Sequence, residues 1–254
     1  MRPEHFILNH MLNRRNGIKT DLSVPSETVW AKPTQTPRYS DVLPSNGLRK
    51  PSLKSPKNYR GTQPSLDGLR IMYFESGVEL KGGRIFRTSP DVVELREQWP
   101  KIHYIGSDGL RHSHIFDYWV RLKCGTRIAI AAKPLEILIK TGTLKILRLI
   151  QRMGIPQYAD KVTFMTEHYA TDEADANAAW ILVSRKKYNE EEFYLAYSVV
   201  ERLTGTVRFY DLLRDAPVIG HRRTAIWNLI DAGVLMPVHP GRIDDNSLLI
   251  SNLD

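Results

Sequence analysis

From Gly68 onward the chain becomes a succession of short apolar runs separated by turn residues, and the order of those runs limits its fold more than any other feature. Phe74, Val78 and Leu80, followed by Ile85-Phe86, predict a short helix within residues 72–87. Val92-Val93 and Leu95 then lead into an apolar run at 102–105. A turn at Ser107-Asp108-Gly109 joins that run to a second at 113–120, so two strands linked by an Asp-Gly turn are expected. A third strand over 127–132 follows the Lys123-Cys124-Gly125 turn and stops at Pro134. Residues 135–154 have helical spacing at Leu138, Ile146, Leu149 and Ile150, closed by Gly154-Ile155-Pro156. A strand at 162–166 and a helix at 175–185 complete the series. Helix, three strands, helix and strand is the order of an α/β core.

The remainder, 189–254, reads as a separate, mostly helical unit. Residues 191–203 are amphipathic, 207–213 start a second helix, and 222–232 place Ala225, Ile226, Leu229 and Ile230 on one face. Residues 233–238 and 248–250 can pair as a two-stranded wing, which makes a winged-helix pattern. A small helical cap packed on the core accounts for the same apolar spacing.

A length of 254 residues suits one to two domains plus a tail, and the division expected is an arm at 1–65, a core domain at 66–188 and a C-terminal domain at 189–254. Charge separates the arm from the rest. Residues 1–65 hold eleven Lys or Arg against four Asp or Glu, so nearly all of the formal net charge of +8 lies in the first quarter. Eight of the fifteen prolines lie there too, a composition that buries too little apolar surface to offset ordering entropy; the arm is expected to be extended and mostly disordered. Such a basic arm can neutralise DNA phosphates, or serve as a solubilising or partner-binding tail. No run of about 18 apolar residues is present to span a bilayer, and the first fifteen residues lack the pattern of a secretory signal. The single Cys124 excludes an intramolecular disulfide and a multi-cysteine zinc site within this chain, so a reducing, cytoplasmic setting is expected.

The chemistry-bearing residues are Glu79 on the first helix, Asp117 on one strand and Lys133 at the end of the next. Carboxylate oxygens hold Mg²⁺, which polarises a phosphodiester and acidifies an attacking water, while a lysine orients that water and offsets developing charge. Strand alternation puts Ala131 and Lys133 on the same sheet face. His103, His112 and His114 lie close in sequence, but odd and even strand positions scatter them over different faces. Arg185-Lys186-Lys187 and Arg222-Arg223 are either phosphate contacts or a solvated basic face. No phosphate-cradling glycine loop, nucleophile elbow or zinc spacing occurs.

Taken in order, residues 73–79, Glu97-Gln98-Trp99-Pro100, residues 114–118, Ala131-Ala132-Lys133-Pro134, residues 163–167 and Asn177-Ala178 resemble the TnsA-type transposon endonucleases, a branch of the restriction-endonuclease-like nucleases, over about residues 65–235. The resemblance implies a restriction-endonuclease-like core with a mixed sheet, Mg²⁺ (with Mn²⁺ able to substitute), and Glu79, Asp117 and Lys133 as site residues. It further implies cutting of one DNA strand at transposon ends, with a transposase for the other strand and an ATP-using regulator as partners. The family usually carries Glu or Gln two residues before the lysine, where this chain has Ala131. Glu136, three residues past Lys133, or Glu75, one helical turn before Glu79, can supply the missing metal ligand. The alternative is a catalytically impaired member that keeps the fold as a DNA-binding or assembly subunit.

Overall fold

The computed structural model describes residues 42–50 and 59–253. An antiparallel pair, β1 (Gly61–Pro64) and β2 (Ile71–Phe74), precedes helix α1 (Gly77–Thr88) and strand β3 (Val92–Glu97). A hairpin of β4 (Lys101–Ile105) and β5 (Arg111–Ile115) follows, then β6 (Tyr118–Leu122), β7 (Arg127–Ala132), α2 (Leu135–Lys140), α3 (Thr143–Met153), β8 (Lys161–Met165) and α4 (Asp172–Lys186). The C-terminal elements are α5 (Glu190–Val200), β9 (Thr206–Arg208), a 3₁₀ turn (Phe209–Leu213), α6 (Ile219–Asp231), β10 (Leu235–Pro237) and β11 (Leu248–Ser251).

The central sheet has the order β3-β6-β7-β8, antiparallel except for the parallel β7–β8 pair, so the protein is mixed α/β around a mixed sheet. Strand alternation divides its side chains between two cores. Tyr118, Val120, Ile130 and Ala132 pack with Val78 and Phe86 of α1 on one side; Trp119, Ala129 and Ala131 pack with Leu147 and Ile150 of α3 on the other. A third core joins α5, α6, the 3₁₀ turn and the three-stranded sheet β10-β11-β9, centred on Trp227, Phe209 and Leu249.

Helix α4 takes part on both sides of the boundary expected at 188/189. Arg84 of α1 bonds its Asp175 at 2.9 Å, while Trp180 stacks on Trp227 of α6 with centroids 6.1 Å apart. Asn177 bonds the 241–243 loop through both ends of its amide, at 2.9 Å each.

The structure departs from the sequence reading at several places. Strand β3 replaces what read as a lead-in. The single strand expected over 113–120 is two: β5 belongs to the hairpin and β6 to the central sheet. The helix expected over 135–154 is broken into α2 and α3 because Gly142 has a left-handed φ of 66°, and Thr141 Oγ1 caps the Ile137 carbonyl at 2.7 Å. Residues 207–213 form a strand end and a 3₁₀ turn instead of an α-helix, and β9 adds a third strand to the wing. The expected arm ends earlier than residue 65, since Gly61–Pro64 pair with β2 and Leu43 bridges to Arg70. Its remaining residues, 1–41 and 51–58, lie outside the described residues.

Candidate active site

The site begins with a mismatch between strands. β3 pairs with β6 up to Glu97 opposite Tyr118, and β4 resumes pairing at Lys101 opposite Ile115. Three residues, 98–100, therefore oppose two, 116 and 117, an irregularity of the bulge type that re-aims side chains at a sheet edge. Gln98 absorbs it with φ at 48°, a sparsely populated region for a residue with a Cβ, and donates its N–H to the Asp117 carbonyl at 2.9 Å. Asp117 thus lies at the junction just before β6, not within a continuous strand. Its buried Oδ2 accepts from the Ala132 N–H at 2.8 Å, which ties it to the end of β7.

Glu79 is delivered by the start of α1. Ser76 caps the helix by accepting from the Glu79 N–H at 3.2 Å. In return Glu79 Oε1 accepts from Ser76 Oγ at 3.0 Å and Oε2 from the Glu75 N–H at 2.9 Å, close to a capping-box arrangement. Tyr118 Oη donates to the Glu79 carbonyl at 2.8 Å, so the residue after Asp117 clamps this helical turn to the sheet. The clamp needs a close approach: a Cβ on Gly83 would lie 2.7 Å from Tyr118 Oη and 2.2 Å from Gln63 Nε2.

Two acids thereby share a buried space. Burial, and secondarily the Asp117 charge, push the Glu79 carboxyl up to about 7. Burial likewise raises Asp117, against the Ala132 N–H and the charges of Lys133 and Arg49, which favour its anion. Lys133 is half-buried, with its N–H held by the Met165 carbonyl at 3.0 Å. His114 is held down to about 4, by burial first and the Lys133 charge second, so it is neutral at pH 7.

The other residues singled out from sequence fall as follows. Glu136 is exposed on the first turn of α2. Among the described residues no three His, Cys, Asp or Glu side chains gather to hold a metal, so Glu136 does not join Glu79 and Asp117. Glu75 lies beside the site, but its carboxylate is engaged by Arg49. Ala131 is fully buried in the apolar cluster on the α3 side of the sheet. His112 pairs with Asp108 at 2.8 Å and His103 points to solvent, so the three histidines are scattered. Arg185, Arg222 and Arg223 are each committed to an acid, namely Asp231, Glu192 and Asp245. The sequence reading missed the side chain of Gln98, whose Oε1 accepts from Arg49 Nε at 3.1 Å, and missed Arg49 itself. Gln98 was visible only as one letter of a longer motif, and Arg49 lies in a stretch whose composition reads as tail.

Two buried carboxyls, both shifted upward by burial, offer oxygens that fit one hard divalent cation, since Mg²⁺ is held by one or two carboxylates and keeps several waters. The same electrostatics make a stability prediction. The Glu79 carboxyl releases its proton near 4.5 when unfolded and near 7 when folded, so its contribution is present below pH 4.5 and lost as pH rises through 7. Glu79→Gln keeps an oxygen to accept from the Glu75 N–H and turns its amide NH2 toward Ser76 Oγ, and is expected to be more stable than the native chain at pH 8, by about 3 kcal/mol at most, with the gain gone below pH 4.5. His114 acts with the opposite sign, losing stability as pH falls below 6.5, but it is common to both proteins and cancels in the difference. Thermal melts of the pair across pH 4–8 measure this directly; equal melting temperatures at pH 8 would refute the burial argument.

No protein-family model matches the chain, and no match is found among curated proteins. Among the described residues no helix is long and apolar enough to cross a membrane.

Proposed function

We propose that this chain is a metal-dependent DNA endonuclease of the TnsA type, acting in the cytoplasm and cutting one strand at transposon ends. The observation that carries this reading is the buried pair of Glu79 and Asp117, drawn from a helix start and a strand start, with Lys133 beside Asp117 at the end of the adjoining strand. The order α1, β3, β6, β7, α3, β8 around a mixed sheet supports a restriction-endonuclease-like core. The order α5, β9, 3₁₀ turn, α6, β10, β11 supports a winged-helix unit. A transposase and an ATP-using regulator are the partners this reading brings with it.

Glu79 and Asp117 would hold Mg²⁺ or Mn²⁺, which supplies polarisation of the phosphate and acidification of an attacking water. The water oxygen forms a bond to phosphorus as the bond to the leaving sugar oxygen breaks, giving a phosphomonoester and an alcohol. Lys133 places its ammonium by that water and by the oxygens that gain charge. The Ala132 N–H, donating to Oδ2, would orient Asp117 toward a bound cation and favour its ionised form.

The second reading, an impaired nuclease-fold subunit, is favoured by one observation: Ala131, at the usual third ligand position, faces an apolar cluster and offers no oxygen. Nicking of supercoiled plasmid with Mg²⁺ or Mn²⁺ separates the two. The native chain is expected to nick, Lys133→Ala to lose about 10²-fold or more, and Glu136→Ala to match the native rate. An intact plasmid with either metal, alone and with the transposase and its cognate ends, would sink the nuclease reading in favour of the impaired subunit.

A further inference from the structure

Arg49 lies outside the helix and strands that carry the acids, yet its guanidinium bonds Gln98 and Glu75, whose own N–H groups bond the Asp117 carbonyl and the Glu79 carboxyl. The segment that brings it there is fastened along its length. The Leu43 N–H donates to the Leu69 carbonyl at 2.9 Å and the Leu43 carbonyl accepts from the Ile71 N–H at 3.0 Å. Arg70 Nη1 donates to the Pro44 carbonyl at 2.8 Å, Ser45 Oγ bonds the buried Glu97 carboxylate, and the Leu48 N–H donates to the Gln98 carbonyl at 3.1 Å. At Gly47 the segment passes so close to the bulge that a Cβ there would lie 3.2 Å from both Gln98 Cβ and the Glu97 carbonyl. The backbone leading to Arg49 is therefore fixed to the same irregularity that sets Asp117.

The guanidinium itself is satisfied on one edge only. Nε donates to Gln98 Oε1 at 3.1 Å and Nη2 to the Glu75 carboxylate, while Nη1 makes no hydrogen bond among the described residues. Three of the five N–H donors have no partner among the described residues, and the side chain is 48% exposed although its partner Gln98 is buried. Its charge favours the Asp117 anion, and its partner Glu75 is the residue whose N–H binds the Glu79 carboxyl. A half-exposed planar cation, held through Nε and Nη2 and close enough to Asp117 to favour its anion, matches the oxygens of a phosphodiester.

We infer that Arg49 is a further catalytic residue, donating to a non-bridging oxygen of the scissile phosphate and stabilising the charge that accumulates there during cleavage. The inference rests on the nuclease reading above and extends its site to a residue ahead of the α/β core. Its test is single-turnover nicking by the full chain with Mn²⁺, for the native protein, Arg49→Ala and Arg49→Lys, with duplex affinity measured in Ca²⁺. Arg49→Ala is expected to cleave about 10²-fold more slowly or worse, with affinity within about threefold of native. Arg49→Lys should recover part of the rate, and free guanidinium ion in the buffer should recover part of the alanine variant's, which no misfolded protein would show. Native-rate cleavage by Arg49→Ala would reduce Arg49 to a structural counter-ion, and faster cleavage would make it an occluder; either overturns the inference alone. A native chain that never nicks overturns the nuclease reading and this inference together.

Discussion

Asp117→Asn is expected to abolish divalent-dependent nicking, slowing single-turnover cleavage by about 10³-fold or more, an activation difference of about 4 kcal/mol. The substitution is nearly isosteric. Asparagine keeps an oxygen to accept from the Ala132 N–H, so the tie between β6 and β7 survives while the charge is lost. Removing that charge also relieves Glu79, whose proton is held partly by the Asp117 anion. The variant should therefore fold at least as stably as the native chain and bind duplex DNA with nearly native affinity. Cleavage within about tenfold of native would remove Asp117 from the site.

Arg222→Ala is expected to cost about 3–5 kcal/mol of stability, because it strands Glu192 in the C-terminal core. Arg222 and Glu192 are both buried and bonded to each other, and Arg222 Nη1 also reaches the Leu212 carbonyl at 3.3 Å. The joint replacement Arg222→Met with Glu192→Leu removes both charges and is expected to recover most of the loss. Urea denaturation midpoints of the single and double variants measure it. A single variant within about 1 kcal/mol of native would mean that Glu192 finds water on losing its partner. This arginine, on the helix that a winged unit would use for reading DNA, is directed into its own core.

Two of the candidate residues were legible because each sits where an apolar run begins or ends. Glu79 follows Ser76 at helix-cap spacing, and Lys133 precedes the Pro134 stop. What the sequence did not disclose is the offset between strands. A run such as 113–120 looks continuous in one dimension, and only the partner strand, with three residues against two, divides it at Asp117. Glu136 reads as a candidate from its place three residues past Lys133 on the following helix; spacing alone does not say which face of that helix turns to solvent, and Glu136 is on the exposed one. Arg49 was illegible for a different reason. Its partners, Glu75 and Gln98, lie 26 and 49 residues away, and no local pattern encodes such contacts.

Helix α4 has a mechanical consequence. Its first turns are bonded to α1, the helix that carries Glu79, while Trp180 stacks on Trp227, Ile181 packs against the C-terminal core and Asn177 bonds the 241–243 loop. Arg185 ties the far end to both, donating to the Arg87 carbonyl at 2.8 Å and pairing with Asp231. α4 works as a strut, not a tether. On the proposed nuclease reading, a duplex held by the C-terminal unit would meet Glu79 through a helix bonded at both ends. The same strut makes the two halves poor candidates for separate expression: a chain ending at residue 188 would uncover Ile181 and the face of Trp180 that stacks on Trp227.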